Sequence, residues 1–360
     1  MFRIQDATGA FHHRFVGCVW LTVFALTGGY CGAEWGHAAD ALAKVDERHI
    51  YVDQATGVNA VDTAGTEAQP FKSILFAMGI MAGRETPDPW VVHVKAGQYD
   101  ADPDKPANER ERFPIELRPG MTIVGDDGAE NCIISGAFTP DSGSSIIRAD
   151  SLYGITIKDL TLRDMNKTGG TERGAACELI STSGTIEDCF FENNSVSDYG
   201  GAIHVSLPDT GTFMLAGNTF HGNTSYNNGG AMDVGNAFTG IVANNVFEDN
   251  SCAHNYADGG AIFFYESFTG TFTGNTFSGN SSASYQGDGG AIDVRGDFSG
   301  VFANNTFTGN SAGDYGGGVY VDTFTGDMIG NTFTRNDAGN NDAGGGFWVD
   351  NTFLGEIRGN

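Results

Sequence analysis

The side chains best suited by type and spacing to do chemistry lie in the C-terminal half, where they recur at steps of 27 to 30 residues. Arg295 is followed at that step by Asp322 and Asp350, and Asp293 by Tyr320 and Trp348. An arginine beside carboxylates fits one reaction in particular. The carboxylates would hold calcium against an acidic sugar, and the basic side chain would take the proton next to the sugar's carboxyl group, as in a polysaccharide lyase. That makes Arg295 the candidate base and Asp322 and Asp350 the candidate calcium ligands. A glycoside hydrolase would instead need paired carboxylates of distinct pKa, for which proximity nominates Asp293 and Asp322. Arg295 next to Asp322 reads equally well as a salt bridge on a solvent face. No other cofactor motif is present.

These positions are set by a repeat. A Gly-Gly-small-apolar block recurs at Gly200-Gly201-Ala202-Ile203 and from Gly229, Gly259, Gly289, Gly316 and Gly344, at intervals of 29, 30, 30, 27 and 28 residues. A Phe-x-x-Asn block follows at Phe220–Asn223, Phe247–Asn250, Phe277–Asn280, Phe307–Asn310 and Phe333–Asn336, and an earlier copy is read at Phe190–Asn193. Between them lies a Phe-Thr-Gly-like corner, as at Phe238-Thr239-Gly240. Each repeat holds three short runs of alternating polarity separated by Gly/Asn/Asp/Ser turns, too short for helices and without hairpin turns. Such strands bury a core only by coiling, each stacked on its copy one rung away. The predicted fold is all-β: a parallel β-solenoid with three short strands per rung, phenylalanines stacked inside and asparagines laddered at the turns. Regularity over 200–350 favours a scaffold over an enzyme, whose site usually interrupts the repeat with long loops.

Strand parity then assigns an outward column: His204, Asp233, Phe263, Asp293, Tyr320 and Trp348. A second column holds Ser206, Gly235, Tyr265, Arg295, Asp322 and Asp350. Exposed aromatics interleaved with carboxylates suit sugar rings, whose apolar faces stack while their hydroxyls bond. The candidate ligand-binding set is therefore Asp233, Phe263, Tyr265, Asp293, Tyr320 and Trp348. A protein contact, a loop folded over the strip, or plain surface are the competing readings. Tyr199, Tyr226, Tyr256, Tyr285 and Tyr315 stand in loops with Asp198, Asp258, Asp288 and Asp314. Oxygen ligands from these loops could bind calcium, but the loops lack any calcium-motif spacing and read rather as solvated acidic turns. His93 and His221 read as isolated, without a partner carboxylate, and receive no chemistry.

Residues 1–39 read as a signal peptide, with His12, His13 and Arg14 ahead of the apolar run Phe15–Leu26, which is too short to span a bilayer. The β-helix domain is expected over 40–360, with irregular early rungs over 50–173 and regular repeats over 174–360. Apolar spacing from Phe71 to Met81 predicts a capping helix, strands are expected at 50–53, 91–94, 115–117, 121–124 and 155–157, and Asp100 to Arg112 is expected as a surface loop. Cys132, Cys177, Cys189 and Cys252 lack zinc spacing and permit disulfides, with a buried free thiol the plainer reading of Cys177. The chain carries 19 Lys+Arg against 45 Asp+Glu, a net charge of −26, which repels phosphate backbones and argues against nucleic acid. From Gly174 onward there are only three basic residues, Arg295, Arg335 and Arg358. Gly359-Asn360 aligns with Gly217-Asn218, ahead of the position of Phe220. An open C-terminal rung is therefore expected, to be continued by more chain or covered by self-association.

The stretch from Tyr51-Val52-Asp53 through Pro70-Phe71-Lys72-Ser73-Ile74 to Val94-Lys95-Ala96-Gly97-Gln98-Tyr99 resembles the start of right-handed β-helix proteins of the pectin-lyase-like superfamily. The later blocks resemble the paired Gly-Gly-Ala-Ile and Phe-x-x-Asn repeats of chlamydial-type polymorphic outer membrane proteins. The resemblance covers residues 50 to 360 and implies a right-handed parallel β-helix, secreted or displayed at the cell surface or outer membrane. It further implies an adhesive role toward polysaccharide or a host or cell-surface protein. A pectate-lyase-like enzyme is the alternative. This chain shows no C-terminal transporter barrel, and no stretch of it reads as a transmembrane segment.

Overall fold

The computed structural model describes residues 48–60, 65–82, 89–139, 143–169, 172–283, 285–339 and 344–360. The predicted signal peptide lies outside the described residues. Strands pair in parallel from rung to rung, as the repeat requires. One ladder runs through the strands after each Gly-Gly: Ile203–Val205, Met232–Val234, Ile262–Phe264, the first residues of Ile292–Ala303, Val319–Phe324 and Phe347–Phe353. A second runs through the corner strands, among them Arg48–Val52, Trp90–Val94, Phe213–Ala216, Phe238–Ala243 and Phe268–Thr273. The third, nine strands from Gly97–Asp100 to Thr332–Thr334, carries the Phe-x-x-Asn blocks.

The interior is a set of columns. Phe191, Phe220, Phe247, Phe277, Phe307 and Phe333 stack with centroids 4.6 to 5.0 Å apart, close to the spacing of paired strands. Asparagines form two ladders, buried except at their C-terminal ends. In one, Asn194, Asn223, Asn250, Asn280, Asn310 and Asn336 bond each to the next. In the other, the chain runs from Asn218 through Asn245, Asn275, Asn305 and Asn331 to Asn360. The first copy of the motif is shifted by one residue from its expected place. Phe191, not Phe190, pairs with Phe220, and Asn194, not Asn193, enters the ladder. The doubled Phe190-Phe191 and Asn193-Asn194 hide that register in the sequence.

The capping helix spans Ile74–Ala82 and buries Ile74, Ala77 and Met81 in the core that also holds Ile50 and Val52. It starts later than expected because Phe71 is held in a parallel bridge to Val52. The segment 100–112 is more than a surface loop. Glu111 is buried and accepts the N–H groups of Ile74 at 2.7 Å and Leu75 at 2.8 Å, capping the helix. The four cysteines Cys132, Cys177, Cys189 and Cys252 are all free and buried. Among the described residues, no helix is long and apolar enough to cross a membrane.

Candidate functional site

Each Gly-Gly turn sets the start of its strand, with Gly200, Gly229, Gly259, Gly289, Gly316 and Gly344 all at positive φ. Rungs therefore align, and the expected column forms: His204 pairs with Asp233, Asp233 with Phe263, Phe263 with Asp293, Asp293 with Tyr320 and Tyr320 with Trp348. Its exposure differs from the expectation. Asp233, Phe263, Asp293 and Tyr320 are buried at 4%, 3%, 0% and 5% relative exposure, whereas Tyr265 is 64% exposed. The acidic loops ahead of the Gly-Gly turns fold onto the strip. Asp258 and Asp288 reach Arg295 from two of them, and Tyr315 stacks on Trp348 at 5.2 Å.

Arg295 is consequently not paired as its sequence neighbours suggested. Its Nη2 lies 2.8 Å from Asp258 Oδ2, 3.2 Å from Asp288 Oδ2 and 3.2 Å from Asp293 Oδ2, and the guanidinium sits 4.9 Å over the Tyr320 ring. Burial would lower the pKa of Arg295, but Asp293 and Asp258 reverse this and hold it above its ordinary value. An arginine so held is a poor general base. Burial pushes Asp288 up to about 6 and holds Asp258 and Asp293 above the usual carboxylate range. Among the described residues, three acids lie close enough together to share a cation: Asp258, Asp288 and Asp293. Arg295 already stands among them as that cation.

Two rungs earlier the same face opens into a cleft of about 260 Å³, lined by Arg173, Tyr199, Asn228, Asp233, Gly235, Phe263 and Tyr265. Three of these, Asp233, Phe263 and Tyr265, belong to the expected binding set. Behind them runs a hydrogen-bonded relay. The His204 Nδ1–H donates to Asp233 Oδ2 at 2.6 Å, and His204 Nε2 faces Arg173 Nη1 at 3.4 Å. Arg173 also lies 5.4 Å over the Tyr199 ring, and Phe263 and Tyr265 meet edge to face at 6.4 Å. Gly235 keeps the cleft open, since a Cβ there would come 2.9 Å from His204 Cε1. Sequence reasoning missed Arg173, because it precedes the regular repeats. The signal that finds it is its parallel bridge to Tyr199 across one rung.

The larger concavity, about 560 Å³, crosses the corner strands and is lined by uncharged residues such as Thr156, Thr185, Met214, Thr239, Ile241 and Thr269. None of the expected residues reaches it. The two histidines read as isolated both face carboxylates: His93 Nδ1 lies 2.7 Å from Asp126, and the more exposed His221 lies 3.7 Å from Glu248.

By sequence, the chain matches the family described as the right-handed β-helix region over residues 120–299 and again over 180–360. No curated protein matches it. Among solved structures it is similar to a GH136 lacto-N-biosidase from Eubacterium ramulus, with 13% identity and a TM-score of 0.32, over 90% of this chain and 70% of that one. So distant a likeness carries no argument about activity. Two overlapping family matches that take in every regular repeat establish that the chain belongs to the right-handed β-helix family.

Proposed function

We propose that the protein is exported and acts at the cell surface or outside the cell as a non-catalytic, glycan-contacting β-helix, with sugar seated in the cleft between Arg173 and Tyr265. The observation that carries this reading is the exposed Tyr265 ring at the rim of a cleft that also offers Arg173, Asn228 and Asp233. An aromatic face beside fixed donors and acceptors is what a sugar ring needs. The repeats' resemblance to surface-displayed polymorphic outer membrane proteins supports the location. Among the described residues that line the cleft, Asp233 is the one carboxylate, and its bond to His204 supports the non-catalytic reading.

The His204–Asp233 pair favours one second reading, a polysaccharide lyase in which His204 rather than Arg295 takes the proton. The two readings separate in a single pair of assays: retention on a glycan array, and release of ultraviolet-absorbing unsaturated product from polygalacturonate. The expected result is retention without product, with Tyr265→Ala weakening retention at least tenfold. Product that disappears in His204→Gln overturns the non-catalytic reading. A lack of retention on any glycan overturns the glycan reading itself.

A further inference from the structure

His49 and His93 stand at the N-terminal end of the coil, far in sequence from the cleft residues. Strand Arg48–Val52 pairs with Trp90–Val94 so that Tyr51 lies opposite His93. The Tyr51 and His93 rings stack at 4.4 Å and 10°, and the His49 ring lies 5.0 Å from that of His93. His49 Nδ1 faces His93 Nε2 at 2.7 Å, while His93 Nδ1 faces Asp126 Oδ1 at 2.7 Å. The second carboxylate oxygen of Asp126 is 2.9 Å from Lys95 Nζ, and its backbone N–H donates to Val94 O at 2.9 Å. Asp126 is thus fixed in place, and as an acceptor it requires the His93 proton on Nδ1. The lone pair of His93 Nε2 then points at His49.

That arrangement is one from which metal sites are built: a histidine whose far nitrogen donates to a carboxylate and whose near nitrogen presents a lone pair that can ligate. We propose that His49 Nδ1 and His93 Nε2 form a two-histidine site for a borderline divalent transition-metal ion such as Zn2+, with Asp126 as the positioning residue for His93. Binding replaces the hydrogen bond between the rings. His93 keeps its proton on Nδ1 and ligates through Nε2, while His49 gives up the Nδ1 proton that joins the rings, to solvent or to its own Nε2, and ligates through that Nδ1 nitrogen. His49 is exposed, so an ion can reach the pair from solvent. Imidazole pairs select Zn2+, Cu2+ and Ni2+ over Ca2+ and Mg2+, which prefer oxygen.

The test is calorimetric titration of the full chain with Zn2+, paired with histidine ring NMR. Wild type is compared with His49→Gln, His93→Gln and Asp126→Asn, each checked for unchanged circular dichroism. The remaining histidines and the acidic surface are common to all four proteins, so the difference between them isolates this site. One binding step is expected to vanish in each histidine variant and to weaken roughly 10- to 100-fold in Asp126→Asn. The His49 and His93 ring nitrogens should shift on Zn2+ addition in wild type. If His93→Gln fails to fold, His49→Gln alone decides, because its ring is on the surface. Zn2+ titrations that are the same in wild type and His49→Gln, or ring resonances that do not move, overturn the proposal.

Discussion

Asn250 Nδ2 donates to Asn280 Oδ1 at 3.0 Å one rung ahead and to Phe220 O at 3.0 Å one rung behind, while its own Oδ1 accepts from the backbone N–H and Nδ2 of Asn223. The side chain is fully buried, so every one of these groups depends on it. Asn250→Ala should therefore cost about 3 kcal/mol, since several buried groups lose their partner at once. Asn250→Asp should cost more at neutral pH, because a carboxylate would face the Phe220 and Asn280 oxygens it now donates to. Urea melts of the two variants check the order. Equal midpoints for both would show that the amide donor carries no weight.

Arg295→Met should destabilise the fold by about 3–5 kcal/mol at neutral pH, the usual cost of stranding buried charge. The loss should shrink in acid. Burial pushes Asp288 up to about 6 and also holds Asp258 and Asp293 above the ordinary carboxylate range. The folded state then binds protons that the unfolded chain has already released. Stability from these groups is present at low pH and falls as pH rises through their folded values. Denaturant melts at pH 4.5 and 7.5 should show the gap between variant and wild type narrowing at the lower pH. A gap independent of pH would refute the charge argument.

Glu111 makes a similar prediction at the capping helix. Burial pushes its carboxyl up to about 7, against the two N–H donors of Leu75 and Ile74 that pull the other way. Because the folded value is raised, stability is greatest below the ordinary glutamate pKa and declines as pH rises toward 7. The decline should amount to about 3 kcal/mol at most. Glu111→Gln keeps an oxygen for one N–H and removes the titration. Its melting temperature should change less between pH 4.5 and 7.5 than that of wild type.

Much of this molecule can be read without coordinates, and the exceptions share a cause. The alignment of Asp293 with Phe263 and Tyr320 follows from counting, because each Gly-Gly marks the same point on its rung. The Phe220 and Asn223 columns follow in the same way. What a rung count cannot supply is the path of the loops, and it is loop residues Asp258 and Asp288 that cover the strip and claim Arg295. The doubled Phe190-Phe191 gives two registers of equal merit in sequence, and only the ladder through Asn194 selects one. His93 and Asp126 lie 33 residues apart in the irregular rungs, where no repeat brings the two numbers together. Tyr265, two residues along the chain from the buried Phe263, is exposed as expected.

The buried thiols have a further consequence. With Cys132, Cys177, Cys189 and Cys252 all free and enclosed, the described residues carry four native reporters of local opening, spaced along the coil from its early rungs to its middle. Cys132, Cys177 and Cys189 belong to the continuous core, whereas Cys252 packs in a separate small cluster with Ala257 and Ala283. A thiol-specific reagent should therefore label Cys252 first, at a rate set by the lifting of one loop, and the other three only when whole rungs part. The order of alkylation, read by mass spectrometry, would chart how the coil unwinds.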